Sequence, residues 1–325
     1  MMTDSSSWAF PASLQPQSDE IAFDTDRVSA SIVRLHAQIP DDAFTAPMLG
    51  TERQGNGIVI RDDGLVLTIG YLITEAATTS LTTAGGDVVP GHALLYDYAS
   101  GFGLVHPLGD LAAPPLALGD PARVDAGDDV YVIGFGGHTH ALKARVFAKR
   151  EFAGYWEYVL DQAFFTTPAH PEWSGAALVD AQGRLIGVGS LFVQEQQNDE
   201  AMQGNMFVPI DLLQPLLEQL RPGARAAQPP RPWLGMYTAD ANEGLMVNGV
   251  AINAPADLAG VEPGDLVVAI GGEPVHGLAD LFRRIWRMGP AGSEIPLTLS
   301  RKGTRLEVKV RSARRDDFLR KPLLH

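Results

Sequence analysis

Cysteine is absent from this 325-residue chain, which excludes disulfide scaffolds, thiolate metal sites and thiol catalysis. Long apolar runs are also missing. The longest that matters, residues 65–73, has nine residues, far short of the roughly 20 that a membrane-spanning helix needs. The first twenty residues hold no Lys or Arg and no apolar core, so no secretory signal is expected in them and cytoplasmic residence is the expectation. Basic side chains are scarce. Lys and Arg number 25 against 39 Asp and Glu, a net charge of −14. Most of that charge lies in residues 1–230, with 12 basic and 28 acidic side chains; residues 231–325 hold 13 and 11. Phosphate binding needs clustered cations, so neither nucleic acid nor an anionic membrane surface is expected as a partner.

What is present is a globular composition, 45% hydrophobic with 34 Gly and 23 Pro, loop-rich but ordinary. Residues 221–232 contain four prolines and no apolar periodicity, which predicts a stiff, extended linker. Before it, short apolar runs alternate with turn chemistry. Ile58-Val59-Ile60 and Leu65-Val66-Leu67 flank an Asp-Gly turn, and residues 177–179 and 185–188 flank another. Residues 129–135 and 203–209 are further strand candidates. Strands at this spacing without intervening helices predict a barrel or sandwich. One helix is expected before the linker, capped by Asp211 and striped by Leu212, Leu213, Leu216, Leu217 and Leu220. After the linker, residues 244–251 and 265–270 read as strands, and Leu278, Leu281, Phe282, Ile285 and Met288 fall on one helical face. Residues 297–299 and 306–310 form a closing hairpin, and the chain from residue 311 is expected to be a mobile tail.

Particular motifs carry a family resemblance. Gly55-Asn56-Gly57-Ile58-Val59-Ile60, Asp63-Gly64-Leu65-Val66-Leu67-Thr68, Ser174-Gly175 followed by Leu178-Val179-Asp180, and Phe207-Val208-Pro209-Ile210-Asp211 resemble the trypsin-like half of the HtrA/Deg serine endopeptidases. Trp233-Leu234-Gly235-Met236, Ala259-Gly260-Val261, Pro263-Gly264-Asp265 and Ile270-Gly271-Gly272-Glu273-Pro274 resemble the PDZ domain of the same family. The resemblance runs over residues 28–311. It implies a mainly β protein, a trypsin-like double six-stranded β-barrel followed by a small α+β PDZ domain. The expected divisions are an N-terminal segment over 1–27, the peptidase-like domain over 28–220, the linker over 221–232, the PDZ domain over 233–313 and a tail over 314–325.

Serine peptidases need a hydroxyl nucleophile, an imidazole that takes its proton and a carboxylate that orients the imidazole. The resemblance makes Ser174 the nucleophile. It puts Tyr71 at the histidine position, Gly101 (or Phe102, with a one-residue slip) at the aspartate position, and Glu172 at the glycine of the oxyanion turn. Asp97 falls four residues too early. A phenol with a reference pKa near 10 is a poor base at neutral pH, and Glu172 adds negative charge where negative charge must be stabilised. The expectation is therefore a non-enzyme, a catalytically inactive homologue serving as a peptide-binding scaffold, adaptor or regulatory subunit. One alternative is an active endopeptidase with a non-standard base, such as His170 with Glu172 beside Ser174. Another is a metal-binding domain built on His138 and His140, which would share a strand face. No cofactor and no metal are expected in the leading reading.

A PDZ domain adds an extended chain terminus to a sheet edge and holds the terminal carboxylate on backbone N–H groups. The resemblance assigns that loop to Leu234, Gly235 and Met236, and the apolar pocket to Leu281, Phe282 and Ile285. The partners it implies are protein C-termini or unfolded peptides, an active peptidase or another enzyme, and further copies of the chain in a homotrimer.

Overall fold

The computed structural model describes residues 8–154, 157–197, 200–221, 229–241 and 244–320. They group into two compact units, one built from residues up to 151 and 161–218, the other from 152–160 and 219–320.

In the first unit, helix α1 (Thr25–Ser29) is capped by the Asp24 carboxylate, which accepts from Asp26 N and Arg27 N. A first closed barrel follows, made of β1 (Ile32–Gln38), β2 (Glu52–Val59), β3 (Val66–Ile69), β4 (Thr78–Thr82), β5 (Val88–Tyr96) and β6 (Phe102–Pro107), ordered β1-β2-β3-β6-β5-β4. The short helix α2 (Ala46–Leu49) lies between β1 and β2. The expected hairpin is β2–β3, paired through Ile58↔Leu67 and Val59↔Val66. Its turn uses Gly64 at φ +78°, a conformation that costs glycine nothing. The Asp63 carboxylate accepts from Leu65 N at 3.2 Å.

The second barrel consists of β7 (Asp129–Ile133), β8 (Ala141–Gly154), β9 (Tyr158–Thr167), β10 (Ala177–Val179), β11 (Leu185–Gln197) and β12 (Glu200–Pro209), closed in the order β10-β11-β12-β9-β8-β7. Val130, Val132, Leu142, Phe164, Leu178 and Phe207 fill its interior. Each such side chain contributes roughly 1.5–3 kcal/mol through burial. Closure of both barrels leaves no free sheet edges. Helix α3 (Leu213–Gln219) follows a 3-10 turn over Ile210–Leu212. Asp211 therefore sits inside the opening turn rather than capping it, because the chain already turns at Ile210.

The second unit has the sheet order β13-β14-β15-β17-β18, with β16 paired to β15. Its strands are β13 (Met236–Ala241), β14 (Gly244–Val250), β15 (Leu266–Ile270), β16 (Glu273–Pro274), β17 (Glu294–Arg301) and β18 (Thr304–Arg311), with helices α4 (Pro255–Leu258) and α5 (Leu278–Arg287). Of the expected face of α5, Leu281, Phe282 and Ile285 are buried, whereas Leu278 is half-buried and Met288, the C-cap residue, is exposed. Strand β13 ends the sheet and is an edge. The chain beyond residue 311 is not the loose tail expected. Ala313 exchanges backbone hydrogen bonds with Trp233 at 3.0 Å in both directions. Arg315 is buried, and the Phe318 ring packs 4.8 Å from that of Trp233. The sequence pattern hid this because clustered charged residues surround one aromatic anchor, Phe318. Residues 222–228 of the expected linker lie outside the described residues.

Candidate active site

Ser174 lies on the turn between β9 and β10, and the residue that fixes this turn is Asn56 of β2. Asn56 N–H donates to Ser174 O at 2.8 Å. Its side-chain amide donates to Glu172 O at 2.8 Å and Ser174 O at 3.0 Å, while its Oδ1 accepts from Phe135 N at 2.7 Å. One asparagine on the first barrel thus holds two segments of the second. In the sequence Asn56 stands out only as part of a glycine motif. The motif did carry the signal, since a Cβ on Gly55 would stand 2.8 Å from Ser174 O. Gly175 is more constrained still. It has φ +73°, and a Cβ there would stand 2.1 Å from Asn56 O.

Tyr71 lies on a 3-10 turn, Gly70–Leu72, directly after β3. A buried polar network holds that turn from behind. Arg53 donates to Tyr71 O at 2.7 Å, Thr74 O at 3.0 Å and Thr45 Oγ1 at 2.8 Å. The Glu75 carboxylate accepts from Phe44 N at 3.0 Å, and from Thr45 N and Oγ1 at 2.7 and 2.6 Å. Burial brings the Arg53 guanidinium down to about 10, against the opposing charge of Glu75. The Tyr71 phenol reaches Ser174 Oγ at 2.7 Å and Ser190 O at 3.0 Å. A carbonyl can only accept, so the single phenolic proton is committed to Ser190 O, and Ser174 is the donor to Tyr71 Oη. Burial is the main effect on the phenol and pushes it up to about 12, outweighing the Ser174 hydrogen bond.

Of the other expected positions, Gly101 adjoins the Tyr71 turn. Gly101, at φ +82°, accepts from Gly70 N at 2.7 Å, next to Tyr71 in sequence. Phe102 is a fully buried residue of β6. Asp97 is used locally, accepting from Ser100 N at 2.9 Å and Ser100 Oγ at 2.6 Å.

His170 is fully buried. Its Nδ1 accepts from Glu172 N at 3.0 Å, so Nε2 carries the proton and donates to His140 O at 2.8 Å. Burial drives this imidazole down to about 4, and it is neutral at physiological pH. Its two nitrogens are engaged with the backbone, so the local Ser-His-Glu set is not assembled. The amide of Glu172 at the oxyanion position is thereby turned inward, and Gly175 N is likewise committed, to Gly189 O at 2.9 Å. Trp8 and Phe10 close the other side of His170, with ring centroids 5.8 and 5.1 Å away. His138 and His140 occupy a 3-10 turn rather than a strand; His138 is exposed and His140 buried, so the two do not share a face. A cleft of about 290 Å³ opens beside Ser174, walled by Asn56, Glu172, Trp173 and Arg34. The Arg34 guanidinium lies 4.6 Å over the Phe135 ring.

In the second unit, Leu234 and Met236 are buried, as are Leu281, Phe282 and Ile285, and all five join one apolar core. Gly235 has φ +70°, and a Cβ there would stand 2.5 Å from the Ala254 methyl.

Two family models match this architecture, a trypsin-like peptidase domain over residues 55–188 and a PDZ domain over residues 232–311. The chain joins a trypsin-like peptidase domain to a PDZ domain. Relatives of this HtrA-like arrangement include a probable periplasmic serine endoprotease, DegP-like, of Pseudomonas fluorescens. It is 27% identical over 274 residues, covering 79% of this chain and 55% of the relative. Serine endoprotease DegS of Haemophilus influenzae is 23% identical over 263 residues, covering 79% and 76%. The chain spans about half the length of the DegP-like relatives it matches. Among solved structures, the HtrA-type protease AlgW with a decapeptide superposes with a TM-score of 0.53 at 19% identity, covering 91% of this chain and 98% of that one. The serine endoprotease from Yersinia pestis gives 0.52 at 19%, covering 90% and 99%. These findings overturn two expectations. A non-enzyme was expected from the side chains around Ser174, whereas the relatives are named serine endoproteases. Cytoplasmic residence was expected from the first twenty residues, whereas relatives are named periplasmic.

Proposed function

We propose that the HtrA-like chain is a periplasmic serine endopeptidase in which Ser174 is the nucleophile and Tyr71 takes the place of the histidine. The observation that carries this reading is the 2.7 Å contact between Ser174 Oγ and Tyr71 Oη. The neutral phenol cannot accept the serine proton, because its oxygen already holds one. The phenolate can. Ser174 Oγ–H passes its proton to the phenolate as Oγ bonds to the peptide carbonyl carbon. The resulting phenol returns that proton to the departing amine nitrogen, and water then cleaves the acyl-serine. With the phenol pushed up to about 12, the reactive form is scarce at neutral pH, so turnover is slow and rises with pH. The inward commitment of Glu172 N to His170 Nδ1 lowers the rate further, because an oxyanion needs donors facing it.

The PDZ unit supports a second part of the proposal, capture of free C-termini of unfolded or partner polypeptides on the Leu234-Gly235-Met236 loop. Assembly as a homo-oligomer, a trimer by family resemblance, completes it. The test is degradation of an unfolded casein at pH 8.5 by the pure chain and by Ser174→Ala. Slow cleavage that disappears in the variant is expected. Cleavage that persists, or none in either protein over a day, overturns the peptidase reading.

A further inference from the structure

One wall of the cleft beside Ser174 carries a cation that the cleavage chemistry does not use. It belongs to Arg34 of β1, which is in register with Asn56 of β2. Cross-strand partners carry their side chains on the same face of a sheet, so Arg34 shares the face from which Asn56 holds the Ser174 turn. Asn56 Oδ1 also accepts from Phe135 N at 2.7 Å, and the Phe135 ring in turn receives the Arg34 guanidinium at 4.6 Å. Gly55, which lines the same cleft, lies against the nucleophile: a Cβ there would stand 3.1 Å from Ser174 Oγ.

The guanidinium is placed but not paired. Arg34 is half-buried, and among the described residues no carboxylate or carbonyl accepts from its N–H groups. Partly buried arginines elsewhere hold an acid: Arg284 pairs with Asp280 at 2.8 Å and Arg301 with Asp265 at 2.7 Å. A half-buried cation without an acceptor has lost hydration and gained little in return. Stacking engages only the face of the guanidinium, so its in-plane fork of N–H donors stays available, in the geometry that matches a carboxylate. Glu172, the acid that also lines the cleft, does not fill this role; its carboxylate faces His140 Nδ1 at 3.9 Å.

We propose that Arg34 is a specificity-determining residue, selecting polypeptides that carry an aspartate or glutamate next to the peptide bond presented to Ser174. The inference rests on the reading of Ser174 as a peptidase nucleophile. A cleft of about 290 Å³ admits a side chain of an extended segment and not a folded surface. A carboxylate there accepts from two N–H groups at once. The ring has already fixed the guanidinium plane, so little side-chain freedom is lost on binding. A lysine or arginine in the same place meets like charge, and an apolar side chain leaves the fork unmet. The Glu172 charge works against an acid in the cleft, and ion pairs at partly exposed sites are modest. The preference for an acid over its amide is therefore expected to be about five-fold.

The experiment uses the full chain with Ser174→Ala, which binds without cutting, and fluorescent decapeptides identical except for Glu or Gln beside a central leucine. C-terminal amidation removes the carboxylate that the loop at Gly235 would take. In anisotropy titrations at pH 8, the Glu peptide is expected to bind about five-fold more tightly than the Gln peptide. With Arg34→Gln added, that ratio should fall to about one, whereas Arg34→Lys, with the charge but not the fork, should keep part of it. Equal binding of the two peptides, binding of neither, or a ratio that Arg34→Gln leaves unchanged, even where both affinities fall, overturns the inference. Incubating the same peptides with the unmodified chain separates the two readings. Acid preference in binding without Ser174-dependent cleavage contradicts the peptidase reading and upholds selection by Arg34; cleavage with equal binding contradicts the selection alone.

Discussion

At the scale of single residues, the site is governed by groups whose polar atoms are fully committed. His170 is the clearest case. Its folded pKa of about 4 lies below the ordinary value near 6.5, so the unfolded chain binds more protons than the folded one between these values. Stability from this residue is complete above pH 6.5 and is lost as the pH falls from 6.5 towards 4, by about 3 kcal/mol in all. Urea unfolding at pH 7.5 and 4.5 should therefore show a larger loss for the unmodified chain than for His170→Gln. Equal losses would mean that the imidazole is not held neutral. Gly175 gives a second prediction. A methyl placed 2.1 Å from Asn56 O, on a left-handed backbone, must displace either the turn or β2. Gly175→Ala should lower stability by roughly 2–4 kcal/mol and slow any reaction at Ser174. A melting temperature within a degree of the parent would refute the close packing of these segments.

At the scale of elements, the 3-10 turn that presents Tyr71 is supported by groups far from it in sequence. Arg53 comes from β2, whereas Glu75 follows the turn and grips the backbone at Phe44 and Thr45. Neutralising one member of a buried charged network leaves the other uncompensated. Glu75→Gln should cost roughly 2–4 kcal/mol and loosen the turn. Its effect is read as a lower urea midpoint together with a changed rate of modification at Ser174. A change in the midpoint alone would limit the network to a stability role. Much at this scale was legible in the sequence. The Asp-Gly turn between Val59 and Val66, the runs 177–179 and 185–188, and the apolar face of α5 all follow from period and turn chemistry. The Arg53 and Glu75 network was not legible, because buried charged residues read as surface polarity until their partners are in place. The placing of His138 and His140 on a shared strand failed for a related reason. Alternation at i and i+2 describes a strand only if the backbone is extended, and Gly136 and Gly137 bend it into a turn, at φ +127° and +80°.

At the scale of the whole molecule, order of motifs carried the architecture and local chemistry carried less. Two closed barrels and a five-strand sheet extended by β16 follow the family pattern quoted from residues 28–311. The convergence of Tyr71, Gly101 and Ser174 also follows from that order, though each sits on a different element. What sequence order could not supply was the direction of hydrogen bonds. That Ser174 donates to the phenol, and that the Glu172 amide points to His170, depend on which carbonyls are within reach. Inactivity was inferred from residue types alone. The relatives are named serine endoproteases, and on the proposed reading the Tyr71 phenolate is a proton acceptor whose scarcity, rather than absence, limits the rate. This has a definite signature. Below about pH 12, the phenolate population of Tyr71 rises ten-fold with each pH unit. The most direct measurement is the rate at which a fluorophosphonate probe labels Ser174 between pH 7 and 10, in the unmodified chain, in Tyr71→Phe and in Ser174→Ala. The account predicts labelling that needs Ser174, climbs close to ten-fold per pH unit, and falls to a shallow dependence in Tyr71→Phe. Labelling of equal rate and slope in the unmodified chain and Tyr71→Phe, or no labelling at Ser174 at any pH, would contradict it.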